Sequence, residues 1–282
     1  MGIKIDGKEL AKQEREIIKD NIGKKVEKGI RPPVIASILV GDDGGSISYM
    51  KNQKKLSEKL GVEYRDILLE DTIKEEELLE VIKKLNEDKN VDGIIIQLPL
   101  PKHLNEKKVV SIISPDKDID GLTDLNMGKL YKGDKSFVPC TAKSAVEMIK
   151  AVKPNLEGEH VVVIGRSNIV GKPVSQLLLK ENATVTLCHS KTRNLKEISK
   201  NADIIVCAIG KPGFITKEFI KEGAIVIDVG TTLVENKLKG DVLYDDVIDI
   251  AAFLTPVPGG VGAMTTTMLI KNTCEAWEKN VQ

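Results

Sequence analysis

Apolar positions along this chain fall into two recurring patterns. Short continuous apolar runs, such as 34–40 (VIASILV) and 93–97 (GIIIQ), alternate with charged stretches whose apolar residues return at helical spacing. Continuous runs of this length predict strands buried on both faces, and the stretches between them predict the helices that cover those faces. In the first half, helices are expected over 7–28, 46–60 and 74–86, and strands over 34–40, 62–69 and 93–97. The second half repeats the alternation more tightly. Its strands are expected at 161–164, 184–188, 204–208 and 224–229, with helices after Gly171, around 195–200 and around 216–220. Successive βα units of this kind predict an α/β fold with a doubly wound parallel sheet. Residues 116–139 are rich in turn formers and lack a clear period, which places the domain junction near 138–142. A last helix is expected over 265–279. The organisation that follows is an α/β domain of residues 1–138 completed by 266–282, and a Rossmann-like domain of residues 139–265.

Composition narrows the range of partners. Lys plus Arg and Asp plus Glu both number 42, so no global field favours nucleic acid or an anionic membrane, and neither is expected as a partner. An anionic ligand must be held by local groups, and the lysine doublets 54–55, 83–84 and 107–108 read as solvated helix faces. Apolar residues at 41% and charged residues at 30% are the balance of a soluble folded chain. No apolar run approaches the ~18 residues of a membrane-spanning helix. The N-terminal MGIKID lacks the apolar core of a signal peptide, and Asp6 stands where a myristoylation motif has Ser or Thr. A cytoplasmic protein is expected. Four scattered cysteines and three scattered histidines suggest reduced thiols and no metal site.

The chemistry of the second half begins at VVVIG (161–165), which runs directly into RSNIVGKP (166–173) and then an apolar helix. A strand, a glycine-bounded turn and a helix bring backbone N–H groups and the positive end of the helix dipole to where a pyrophosphate can be held. Gly165, Arg166, Ser167, Val170 and Gly171 are the candidates. Ser167 replaces the middle glycine of the G-x-G-x-x-G fingerprint, and a tight βα turn without a ligand would use the same glycines. The next strand ends in Cys188-His189-Ser190-Lys191-Thr192-Arg193, with no carboxylate to accept from a ribose 2′-hydroxyl. Ser190 and Arg166 are suited instead to donate to a 2′-phosphate, which points to NADP rather than NAD. Glycines follow strand ends again at Gly210 and at Gly230-Thr231-Thr232. These are either ordinary turns or the rim of one cofactor groove, and their recurrence favours the groove.

Five stretches then converge on one pattern: DGIIIQLPLP (92–101), PDKDIDG (115–121), GRSNIVGKP (165–173), ATVTLCHSKT (183–192) and TPVPGGVGAMT (255–265). In order, and over essentially the whole chain, they closely resemble the methylenetetrahydrofolate dehydrogenase/methenyltetrahydrofolate cyclohydrolase family. The resemblance implies a folate-binding domain completed by the C-terminal helix, a Rossmann-like cofactor domain, and a homodimer formed through the cofactor domains. It also implies oxidation of 5,10-methylenetetrahydrofolate by hydride transfer to NADP. In bifunctional members, water then opens the 5,10-methenyl cation to 10-formyltetrahydrofolate. Carried over by position, Tyr49 stacks on or beside the folate, Gln97 lies beside the catalytic lysine, and Asp120 binds the pterin edge. Pro258, Gly259 and Gly260 form a loop that approaches the substrate.

One position departs from the family. Its catalytic helix carries Tyr-x-x-x-Lys, but here Tyr49 is followed four residues later by Gln53. Residues four apart share a helix face, about 40° apart in projection, whereas Lys54 and Lys55 are turned roughly 100° and 200° further. A lysine with a lowered pKa can exchange a proton; a glutamine amide can only orient by hydrogen bonds. Dehydrogenase activity is therefore expected to survive and cyclohydrolase activity to be weak or absent. The alternative is a fully bifunctional enzyme in which Lys54 or Lys55 reaches the site. Ala142 and Ala263 replace two family prolines, and both losses are expected to loosen the chain locally.

Overall fold

A computed structural model describes residues 2–281. Its contacts divide the chain into two compact units. One comprises residues up to Lys12, Leu130–Asp134 and Pro139–Met268; the other comprises Gln13–Lys129, Lys135–Val138 and the residues from Leu269 onward.

The chain opens with a short strand, β1 (Ile3–Lys4), and a helix, α1 (Gly7–Val26). Next comes β2 (Val34–Val40), all seven of whose residues are buried. It is the middle strand of a parallel sheet of order β3–β2–β4, reached through α2 (Gly44–Leu60), β3 (Glu63–Leu69), α3 (Glu75–Glu87) and β4 (Gly93–Ile96). Side chains alternate across a strand. Val34, Ala36, Ile38 and Val40 pack on one face with Leu78 and Ile82 of α3 and with Val109 of α4 (Glu106–Ser111). Ile35, Ser37 and Leu39 turn to the opposite face. Helix α2 is set by its ends: Asp43 accepts from Ser46 N at 2.8 Å, and Gly61 closes it at φ 85°.

The stretch expected to be irregular contains α5 (Asp124–Lys132), and α6 (Cys140–Val152) begins where the junction was expected. α5 is short and only weakly amphipathic, so periodicity does not reveal it. Ala142 is buried in the first turn of α6. Alanine is a strong helix former, and the first turn tolerates either residue, so its replacement of proline leaves regular helix there.

The larger sheet has the order β1–β11–β8–β7–β5–β6, and all its ladders are parallel. Its strands include β5 (His160–Ile164), β6 (Thr184–Cys188), β7 (Ile204–Cys207) and β8 (Ile225–Asp228), with α7 (Gly171–Lys180) and α8 (Leu195–Ser199) between them. The helix expected around 216–220 is only a 3-10 turn, Lys217–Phe219. Sequence periodicity also leaves unseen the hairpin β9 (Thr232–Val234) and β10 (Lys237–Lys239), whose turn holds Glu235 and Asn236 at φ 50° and 60°. Two consecutive positive-φ residues match the twist of a hairpin, but Glu-Asn is not the usual glycine-containing signal. A one-turn helix, α9 (Tyr244–Val247), precedes the two-residue β11 (Phe253–Leu254). The C-terminal helix α10 (Val261–Asn280) starts four residues earlier than expected. Ala263 lies in its first turn and donates its N–H to Gly260 O at 3.0 Å, a bond proline cannot make.

Candidate active site

Helix α2 buries Ser46, Met50, Gln53, Ser57 and Leu60, a stripe at helical spacing that is polar at three of five positions. The polarity is answered from the sheet. Gln97 follows the last residue of β4, is 3% exposed, and donates through Nε2 to Ser37 Oγ at 2.9 Å and to Gln53 Oε1 at 2.8 Å. The Tyr64 hydroxyl, from β3, donates to the same Gln53 Oε1 at 2.7 Å. Burial pushes the Tyr64 phenol's pKa well above its usual range, so it stays a neutral donor. Two strands and one helix thus converge on one amide. Sequence reasoning singled out Gln53 and Gln97 and missed Tyr64 and Ser37, since strand pairing sets Tyr64 beside Ile35, two residues from Ser37 along β2, and no sequence spacing shows it. Their legible signal was a serine in an otherwise apolar strand.

Tyr49 sits one turn before Gln53 on the same helix and is 40% exposed. The neighbouring lysines lie elsewhere. Lys54 is ion-paired with Asp66 and, with Lys51, lines a groove of about 580 Å³ along the β3 edge that includes neither Gln53 nor Gln97. Lys55 is exposed. Asp120 is half-buried in the loop after the Ile94–Asp118 bridge. That loop is shaped by its neighbour Asp118, which is buried and accepts from Leu122 N, Thr123 N and Asn126 Nδ2 at 2.8–3.0 Å. Gly121 closes the loop at φ 69°, where a Cβ would lie 2.6 Å from the Val138 carbonyl carbon. In the other unit, Pro258, Gly259 and Gly260 lead into α10, with Gly259 at φ 104°.

In the large sheet, β5 leads outward to β6 while β7 lies on the other side of β5, so the strand order reverses at the β5–β7 pair. Open α/β sheets bind ligands at such a point, beyond the strand C-termini. A crevice of about 240 Å³ opens there, lined by Gly165 and Arg166 after β5, by His189 and Ser190 after β6, and by Ile209 and Lys211 after β7. None of its lining residues is acidic. The turn itself requires glycine. A Cβ on Gly171 would meet Gly165 O at 1.9 Å, and one on Gly165, held at φ 126°, would meet Ala208 O at 2.1 Å. Ser167 Oγ accepts from Val170 N at 3.1 Å and ties the turn below the helix start. These features fit a dinucleotide: backbone lies close to the strand ends, two cations and one hydroxyl line the crevice, and no carboxylate opposes an added phosphate.

Gly210 neighbours the crevice, but Gly230, Thr231 and Thr232 do not line it. Gly230 is explained by packing, because a Cβ there would lie 2.3 Å from the Asp241 carboxyl carbon. Asp241 is fully buried and accepts from Ile209 N and Lys211 N at 2.7 Å and from Gly210 N at 3.1 Å, pinning the loop after β7. Asp228 in turn accepts from Gly230 N, Asp241 N and Val242 N. Burial pushes the Asp228 carboxyl up to about 7, although those three N–H groups favour its ionised form. Sequence reasoning missed this pair, whose only trace was Gly-Asp-Val at 240–242.

Comparison with known proteins decides the family. Residues 5–120 match the tetrahydrofolate dehydrogenase/cyclohydrolase catalytic domain, and residues 139–281 match the NAD(P)-binding domain of the same family. The chain belongs to the tetrahydrofolate dehydrogenase/cyclohydrolase family. Among its relatives, the bifunctional protein FolD of Clostridium novyi (strain NT) is 61% identical over 98% of this chain and 99% of its own length. The crystal structure of the bifunctional FolD of Campylobacter jejuni superposes with a TM-score of 0.96 at 39% identity, covering 99% of each chain. The Trypanosoma brucei methylenetetrahydrofolate dehydrogenase-cyclohydrolase, complexed with NADP cofactor and an inhibitor, does so at 0.94 and 36% identity, covering 100% of this chain and 99% of that one. The family assignment accounts for the two α/β units and makes the chain a methylenetetrahydrofolate dehydrogenase by descent. Among the described residues no helix is long and apolar enough to cross a membrane, and no group of His, Cys, Asp and Glu is placed to hold a metal.

Proposed function

We propose that this chain oxidises 5,10-methylenetetrahydrofolate to the 5,10-methenyl cation with NADP, and that it also performs the cyclohydrolase step of its bifunctional relatives. NADP supplies the hydride acceptor; the protein's part is to hold the two reactants close and aligned. The observation that carries the cofactor assignment is the crevice at the β5–β7 reversal, where Arg166 and Ser190 face an acid-free wall. In the T. brucei relative the bound cofactor is NADP. Arg166 and Ser190 would hold the 2′-phosphate, and the backbone of Gly165 to Gly171 the pyrophosphate. On the folate side, Tyr49 would stack on the substrate and Asp120 would accept from the pterin's amino-pyrimidine edge.

The cyclohydrolase half replaces the expectation, drawn from Gln53, that hydrolysis is weak or absent. Relatives named bifunctional, at 61% and 59% identity over 98% of the chain, outweigh one substituted position. A narrower reading, dehydrogenase alone, keeps one observation in its favour. Gln53 is fully buried among neutral partners, and Lys54 is paired with Asp66 away from it, so no lysine stands at this position. Paired assays on one preparation separate the two readings. The proposal expects methylenetetrahydrofolate-dependent NADP reduction together with decay of methenyltetrahydrofolate absorbance well above the buffer rate. Reduction with decay at the buffer rate would leave the dehydrogenase alone.

A further inference from the structure

The crevice at the β5–β7 reversal is lined by two cations, Arg166 after β5 and Lys211 after β7, and neither has an ion-pair partner among the described residues. Nearby lysines outside the lining are engaged, Lys196 with Glu218 and Lys172 with Asn168 Oδ1. Lys211 is held at both ends. Its backbone N–H donates to Asp241 Oδ1 at 2.7 Å, and its Nζ lies 5.7 Å from the centroid of the Phe214 ring. Phe214 lines the same crevice and packs on Phe219, with ring centroids 5.6 Å apart. The strand order β7–β5–β6 sets the loops of Lys211 and Ser190 on either side of the loop that carries Arg166.

Charge balance turns this arrangement into an assignment. A phosphate monoester carries about −1.5 to −2 near neutral pH. Arg166 offsets one unit of that charge and the Ser190 hydroxyl none, so a 2′-phosphate in this crevice calls for a second cation. His189, the remaining titratable residue of the lining, does not supply it. Its Nδ1 accepts from Lys191 N at 3.1 Å, a bond that a ring protonated at both nitrogens cannot make. We propose that Lys211 is a specificity-determining residue for the cofactor, its ammonium pairing with the 2′-phosphate of NADP from the β7 side. This rests on the NADP reading of the crevice given above, and extends it to a residue outside the β5 and β6 loops. The pyrophosphate is common to NADP and NAD, so a cation that served it instead would not discriminate between them.

Lys211→Met removes the charge, keeps an apolar stem against Phe214 and leaves the backbone bond to Asp241 in place. The direct probe is calorimetric binding of adenosine 2′,5′-bisphosphate and adenosine 5′-monophosphate, which differ only in the 2′-phosphate. The wild-type chain should bind the bisphosphate at least about tenfold more tightly, and Lys211→Met should cut that ratio at least about fivefold. Lys211→Arg retains a cation and should keep the ratio within about threefold of wild type. In the dehydrogenase assay, the ratio of kcat/KM for NADP to that for NAD should fall in Lys211→Met by a factor similar to the binding ratio. Equal loss of affinity for both nucleotides, an unchanged ratio, or a wild-type chain that binds the two alike would overturn the proposal. A further measurement keeps the native backbone and charge. After reductive methylation of the lysines, the NMR signal missing from Lys211→Arg should shift with the bisphosphate and not with the monophosphate; the same shift with both would overturn it. If the chain reduces no NADP with methylenetetrahydrofolate, the dehydrogenase reading fails, whereas the nucleotide-binding ratio is measured without folate and is decided separately.

Discussion

At the scale of single residues, the two glycines that bound the cofactor turn are the least replaceable positions. A Cβ on Gly171 would overlap the Gly165 carbonyl oxygen, a backbone atom that cannot rotate aside. Gly171→Ala should therefore cost about 1–3 kcal/mol of stability, as overpacking does, and raise KM for NADP. Thermal melts and NADP titrations on the variant check both effects. Gln53→Lys probes the altered position. Its ammonium would be buried among Tyr64, Ser37 and Gln97, all neutral, and burial without an anionic partner lowers a lysine pKa. If the dehydrogenase stood alone, the variant would hydrolyse methenyltetrahydrofolate at least about tenfold faster than wild type, with a pH profile that rises as the amine loses its proton; the bifunctional proposal expects a rate within about threefold of wild type. An unchanged rate would show that the position does not set hydrolysis. Gln53 was legible because a motif spacing exposed it. Tyr64 was not, since its bond to Gln53 depends on how α2 packs against β3, which no spacing along the chain reveals.

At the scale of elements, the loop after β7 depends on one carboxylate. Asp241 accepts from three consecutive backbone N–H groups, 209 to 211, and two of those residues line the crevice. Asp241→Asn would turn an NH2 towards at least one of those donors. A loss of about 1–3 kcal/mol follows, with a higher KM for NADP and little change in KM for the folate. Asp228, which supports Asp241, makes a pH prediction. Its folded pKa of about 7 lies above the ordinary 3.8, so the folded state holds this proton more tightly than the unfolded state. Its contribution is least unfavourable at low pH, and stability is lost as pH rises from about 4 to about 7. Urea midpoints across that window should fall more steeply for wild type than for Asp228→Asn, and parallel curves would refute the assignment. The strands carrying these loops were legible as continuous apolar runs. The acids were not, because nothing in Asp-Val-Gly or Gly-Asp-Val reveals which backbone donors they will meet.

At the scale of the whole molecule, the two α/β units and the parallel character of the main sheets follow from alternation alone. The C-terminal helix was expected to return to the first half of the chain. Trp277 is fully buried in α10 and donates to Arg31 O at 2.9 Å, while Asn272 Nδ2 donates to Ile119 O at 2.8 Å. Trp277→Ala should cost about 3–5 kcal/mol through the cavity it leaves, read as a lower denaturant midpoint. Less legible were β1 and β11, two residues each, and the hairpin at 232–239, which are too short to show a period. Charge balance at this scale supplies no steering field, so cofactor choice must come from the crevice itself. The most direct test is the initial rate of nicotinamide reduction by the purified chain with 5,10-methylenetetrahydrofolate, comparing NADP with NAD. Charge-assisted bonds to the 2′-phosphate predict substrate-dependent reduction with kcat/KM at least about tenfold higher for NADP. No substrate-dependent reduction, or equal rates with NAD, would contradict the account.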